Sequence, residues 1–264
     1  MAIKMRVLIT VKTYPLPSRG YQEIVCTAGV QPDGTFIRLN PIDYRYRPYW
    51  QWYKKYQWVD VEVEKHDKDP RKESFRPKLE TLKPYGEPLD TKNNWQERKK
   101  YVLAKGAHSM EELNIFQDLD RTSLGITRPK EIFGLDIDEV ERDWKPEWKT
   151  LFLQQRLFGP QQKPLEKIPY RFSYRFACDD SRCNGNHKLM IEDWEICELF
   201  LRMRNMYQDE KVALDMVRNK FYNEICGSKI DTHFFVGTTL QYGTWIILGV
   251  FWPKKQQIIL PFSE

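Results

Sequence analysis

YQEIVCTAGVQPDGTFIRLNP, residues 21–41, decides how the rest of the chain is read. A strand-like run over 21–30 meets Gln31-Pro32-Asp33-Gly34, a strong turn signal, and TFIRLNP returns along it. The pattern predicts an antiparallel hairpin. MRVLITVKT (5–13), just before it, is apolar and β-branched and reads as another strand. WVDVEVEKH (58–66), further on, alternates strictly, with Val59, Val61 and Val63 on one face and Asp60, Glu62 and Glu64 on the other. SFRPKLETLKP (74–84) is its expected partner.

Helical signals then appear. NNWQERKKYVLAKG (93–106) reads as a short basic helix, and SMEELNIFQDLD (109–120) as a second one opened by a Ser109/Glu112 capping box. A strand follows within 126–141, then a helix-like EWKTLFLQQRL (147–157) and a strand over 168–176. Asp193 is a good N-cap for WEICELFLRMRNM, and Asp209 for a helix over 210–226 with Gly227 beyond its end. THFFVGTT (232–239) and TWIILGVFW (244–252) close the pattern as a last hairpin. Long alternation of strand and helix is missing, which argues against a doubly wound parallel sheet. The expected class is mainly β with inserted helices, as two OB-like small β-barrels. One would span residues 1–125 with a basic, aromatic surface. The other would span 126–264 with a Cys/His hairpin and two helices.

The 264 residues carry a formal charge of +5. Residues 65–105 hold twelve Lys/Arg against seven Asp/Glu, so that segment alone accounts for the surplus. No stretch approaches the roughly 20 apolar residues of a membrane span. MAIKMRVLITVKTYP lacks the apolar core and cleavage site of a signal peptide, so the cytoplasm is the expected location. Five cysteines are then expected as free thiols.

YRYRPYWQWYKKYQW (44–58) is the strongest compositional signal, with eight aromatic rings, four cations and no acid. Rings that stack on bases beside cations that meet phosphates suit a single-strand-binding barrel face. The alternative is that the rings are core and the cations cover them. The expected contact set is Tyr44, Arg45, Tyr46, Arg47, Trp50, Trp52, Lys54 and Lys55, with Arg71 and Arg76 from the charged loop that follows. Lys12 and Arg38 lie near strand ends, where each could reach a phosphate; a salt bridge from Arg38 to Glu23 is the competing reading. The acids of DVEVE do not make a nuclease, because Lys65 falls on the face opposite Glu64. DIDEVE (136–141) reads as surface, and no Walker loop, Gly-x-Gly-x-x-Gly or Gly-x-Ser-x-Gly occurs.

CDDSRCNGNH (178–187) brings Cys178, Cys183 and His187 around a turn. Two thiolates and an imidazole are three of the four ligands of a structural zinc ion. Asp179, Asp180, Cys197, Cys226 or His233 could supply the fourth, and a metal-free hairpin is the alternative.

VKTYPLPSRGYQEIVCTAG (11–29) and GTFIRLNPIDYR (34–45) resemble the dual OB-fold domain family of bacterial conflict- and defence-associated proteins. FACDDSRCNGNH (176–187), MIEDWEI (190–196), FFVGTT (234–239) and WIILGVFWP (245–253) look like that family's second half. The resemblance implies two barrel modules and a role in sensing or binding nucleic acid. It rests on Lys12, Tyr14, Glu23, Arg38, Arg45, Ser74, Arg76, Cys178, Cys183, His187, Asp193 and Trp194. The family pattern places Gly beside the histidine, where this chain has Asn186. The expectation is a non-enzymatic DNA- or RNA-binding protein of a bacterial defence or mobile-element complex. A protein–protein adaptor in such a complex and a metal-dependent nuclease are the alternatives.

Overall fold

The computed structural model describes residues 2–154 and 160–256. The hairpin expected at 21–41 forms as β3 (Gln22–Val30) and β4 (Phe36–Ile42), preceded by β1 (Ile3–Lys12) and the short β2 (Leu16–Ser18). Asp33 makes the turn by accepting from the Thr35 amide at 2.9 Å. Gly34 sits at φ +81°, and a Cβ there would lie 2.6 Å from the Ala104 Cβ. β5 (Trp58–Lys65) keeps its valines inside; β6 (Ser74–Pro77) pairs antiparallel with its C-terminal end, and β7 (Lys83–Tyr85) with its N-terminal end on the same flank.

The ladder closes. β1 pairs with β3, β3 with β4, β4 with β6 in parallel, β6 with β5, and β5 returns to β1. Numbered along the chain as five barrel strands, with β2 and β7 as accessory pieces, the spatial order is first, second, third, fifth, fourth. Val7, Ile9, Val25, Ile37, Leu39, Val59 and Val61 fill this barrel.

α1 (Lys92–Val102) and α2 (Met110–Asp120) link it to the second barrel. The start of α1 differs from a plain helix: Asn93, Asn94 and Trp95 have positive φ. The Trp95 ring packs there against Tyr56, Phe251 and Trp252. α2 carries the expected capping box.

β8 (Leu124–Thr127) and β9 (Pro129–Glu139) are one strand bent at Arg128; β8 pairs with β12 (His233–Thr238), and β9 with β10 (Tyr170–Cys178). β10 pairs with β11 (His187–Met190), and β12 with β13 (Trp245–Phe251). A parallel bridge from Ile191 to Ile247, with the Glu192 amide 2.9 Å from the Ile247 carbonyl, joins the end of β11 to β13. Two three-stranded sheets thereby complete the same circular order as the first barrel.

α3 (Pro146–Leu153) lies between this barrel's first and second strands; residues 155–157 of the helix expected there are outside the described residues. α4 (Trp194–Tyr207) and α5 (Glu210–Arg218) lie between its third and fourth, capped by Asp193 and Asp209 as expected. A π-helical turn, Asn219–Glu224, extends α5. In the first barrel the corresponding connection is residues 43–57, with two 3-10 turns, Tyr44–Tyr46 and Tyr49–Gln51.

The barrels share a packed seam. Val11 and Ala28 of the first bury one apolar cluster with Leu124, Ile126, Phe235, Ile246 and Leu248 of the second. Arg38, also in the seam, donates to the Ser123 hydroxyl at 2.6 Å and the Ser123 carbonyl at 2.9 Å. Glu73 accepts from the same hydroxyl at 2.7 Å. Among the described residues, no helix is long and apolar enough to cross a membrane.

Candidate metal centre and the open strand face

Cys178 ends β10 and His187 opens β11, so the turn between them is short and folded back. Asp180 shapes it, accepting from the Arg182 amide at 2.9 Å and from the Arg182 guanidinium at 2.6 and 2.9 Å. Cys183 is brought round so that the Cys178 amide donates to its sulfur at 3.2 Å. The His187 Nε2 lies 3.3 Å from that sulfur.

The fourth member is Glu111, in the first turn of α2, its Oε1 2.9 Å from the His187 Nε2. Ser109, which caps α2, also donates to Asp180 at 2.6 Å, so the helix start is tied to the cysteine turn. One ligand atom from each of Glu111, Cys178, Cys183 and His187 lies within 4.8 Å of every other. The other Glu111 oxygen is buried with no hydrogen-bond partner. Burial pushes the Cys178 thiol up to about 11. A cation is what would satisfy the carboxylate and draw the thiols to thiolates.

None of the five fourth-ligand candidates is in this group. Asp179 pairs with Lys130 at 3.0 Å, and Asp180 holds the turn. Cys197 is buried in the core, Cys226 donates to the Phe221 carbonyl, and His233 is bonded to the Asp231 carbonyl. All five cysteines are free thiols.

Beside this cluster lies the outer face of β9, β10 and β11. Tyr170, Phe172, Tyr174 and Phe176 point into the core, which sends Arg171 and Arg175 outward. Lys188 stands directly opposite Arg175. Asp136 bridges them, 2.9 Å from the Arg175 Nε and 3.0 Å from the Lys188 Nζ, and the bond from Arg175 holds its carboxyl below the usual range. Asp138 lies 3.8 Å from Arg171 and 3.4 Å from Lys188. Gly134 makes room, because a Cβ there would meet the Arg175 guanidinium at 2.9 Å. DIDEVE is thus surface, as read, but its first two acids belong to a cationic cluster that the sequence reading missed. Alternation in β10 was the available signal.

The expected contact set does not form one surface. Tyr44 and Tyr46 are buried, and the Tyr44 hydroxyl donates to the Tyr53 carbonyl at 2.8 Å. Lys55 is bound to Asp193 at 2.8 Å and Glu195 at 2.9 Å. Arg45 pairs with Glu23 at 3.3 Å and reaches the Lys163 carbonyl. Arg47 pairs with Asp43 at 2.8 Å. Arg71 pairs with Asp69 at 2.7 Å and bonds the Thr238 carbonyl across the seam. Arg38 is not bridged to Glu23, because the register sets it opposite Ala28. The Lys12 ammonium is sandwiched 4.2 Å over Tyr44 and 4.7 Å over Trp194. Burial first, and Lys55 second, push it down to about 8. Tyr14 donates to the Glu166 carbonyl at 2.8 Å. Trp50, Trp52, Lys54 and Arg76 remain exposed. The physical reason is that segment 43–57 connects the third and fourth strands where helices do so in the second barrel, and its Tyr44 and Tyr53 rings complete the first barrel's core.

Residues 106–264 match the model of a family described as Domain of unknown function (DUF8757), and residues 3–104 match that of Domain of unknown function (DUF8758). No curated protein matches the chain.

Proposed function

Since this chain belongs to the family described as Domain of unknown function (DUF8757), whose description states no activity, we propose its function from the geometry. It is a non-enzymatic nucleic-acid-binding protein, with the strand on the β9–β10–β11 face and a structural zinc ion at Glu111, Cys178, Cys183 and His187. OB barrels hold oligonucleotides across their second and third strands. The first barrel has that face, β3 and β4, packed against its neighbour, whereas the second presents it to solvent with Arg171, Arg175 and Lys188 about half exposed. That contrast carries the reading. Like charges directly opposite on a sheet, here Arg175 and Lys188, are unfavourable without a counter-charge. Asp136 and Asp138 supply it in the free protein, and phosphates would take their place.

The ligand cluster supports zinc by its chemistry. Two soft sulfurs, an imidazole and a carboxylate are a zinc set, and four protein ligands leave no open position for substrate, which favours a structural over a catalytic ion. The ion would lock the β10–β11 turn and with it the register that places Arg175 beside Lys188.

Fluorescence anisotropy with labelled single and double strands of DNA and RNA, across a salt series, tests the reading. Binding should weaken steeply with salt, and Arg175→Glu with Lys188→Glu should lower the log–log slope by about one per lost contact. Absence of binding at low salt, or an unaltered slope in the variant, would remove it. A protein bound in place of nucleic acid would favour the adaptor alternative.

A further inference from the structure

Resting on that nucleic-acid reading, we infer that Tyr49, Trp50 and Trp52 form a separate platform on the first barrel that stacks unpaired bases. Three large rings within four residues stand at the surface, at 84%, 62% and 38% exposure. Scattered exposed apolar residues need no explanation, but a contiguous set of rings does.

The platform is built from the core outward. Tyr53, 1% exposed, shares a 2.6 Å hydrogen bond with Thr27. Tyr44 packs edge-on against it at 4.9 Å, Trp52 tilts onto Tyr44 at 5.4 Å, and Tyr49 tilts onto Trp52 at 5.7 Å. The Trp52 indole N–H donates to the Arg47 carbonyl at 2.8 Å, which fixes the ring's orientation. The Tyr49 and Trp52 rings are thus held in place before any ligand arrives, which lowers the ordering cost of stacking.

Charge selects the occupant. Residues 44–58 contain four cations and no acid. Arg45, Arg47 and Lys55 are taken by Glu23, Asp43 and Asp193, while the exposed Lys54 has no ion pair among the described residues. Flat rings with one free ammonium suit a base and its phosphate, whereas several close phosphates would need more cations. The chemistry here is therefore base stacking, distinct from the ionic contacts of the second barrel.

The test uses the full chain, an oligothymidylate, and an abasic oligomer of equal length and charge. The base-bearing oligomer should bind on the order of tenfold tighter and quench tryptophan emission. Tyr49→Ala with Trp50→Ala should bring it to the abasic affinity while leaving abasic binding unchanged; both side chains are exposed, and circular dichroism checks the fold. Equal binding of the two oligomers to the unmodified protein, or an unchanged ratio in the variant, overturns the platform alone. If neither oligomer binds, the nucleic-acid reading falls and the platform falls with it.

Discussion

The two barrels share a strand order and differ in how their open ends and outer faces are completed. In the first, a fifteen-residue loop packs Tyr44 and Tyr53 into the barrel core, and the barrel's second and third strands lie against the neighbouring barrel. In the second, α4 and α5 occupy the same position in the order, and the second and third strands stay open beside a cluster of metal-type ligands. Circular order alone therefore does not say which face is available. The connection between third and fourth strands, and the partner each face is given, decide it.

The largest effect should come from metal removal. Chelation, or Cys183→Ser, should raise amide hydrogen exchange along β10 and β11 and leave β3 and β4 protected. Structural zinc can contribute about 10 kcal/mol where an apo domain is unfolded, and this barrel, with its own apolar core, should lose less. Elemental analysis should find one zinc per chain. Equal exchange in both hairpins with and without chelator would erase the proposed difference between the barrels.

A smaller effect is expected at the seam. Arg38→Leu removes the cation that donates to Ser123, whose hydroxyl in turn donates to the buried Glu73. Each hydrogen bond lost from such a buried charged group costs about 1.5–3 kcal/mol. Urea unfolding of the variant should separate into two transitions if the seam is what couples the barrels. A single transition with unchanged midpoint would show that the apolar contacts alone join them.

The smallest is a pH effect beside the first barrel's aromatic loop. Folded Lys12 titrates at about 8, while an unfolded lysine does so near ~10.4. Between those values the unfolded chain binds more protons, so stability rises with pH there; below about 8 both states are protonated and the burial penalty is complete. Lys12→Met should flatten that rise, by roughly 2 kcal/mol across the window. Above it, Tyr14, Tyr53 and Tyr56, all pushed up by burial, oppose the trend. Thermal melts at pH 8 and 10 on both proteins give the comparison, and parallel slopes would show that Lys12 is not the source.

What the sequence discloses here is local. The 21–41 hairpin, the alternation of β5, the Ser109 box and the Asp193 cap depend on neighbours a few residues away, and each is written in a short window. Glu111 is invisible to such reading, because it lies 76 residues from His187 and resembles any acid near a helix start. The destination of Tyr44 and Tyr46 is equally hidden. A core and a stacking surface use the same residue types, and only the barrel's closure shows which rings turn inward. Arg175 and Lys188 stand opposite one another only in the register that the Cys178–His187 turn sets, which alternation alone does not fix.

Arg38 and its surroundings carry one more implication. A peptide bond severed between α1 and α2 would leave each half with a raw greasy flank, and one of them with a guanidinium stranded beside it. The fragments would seek one another or precipitate, so for folding purposes the two modules are a single heritable unit, however separable they look when their strands are drawn flat.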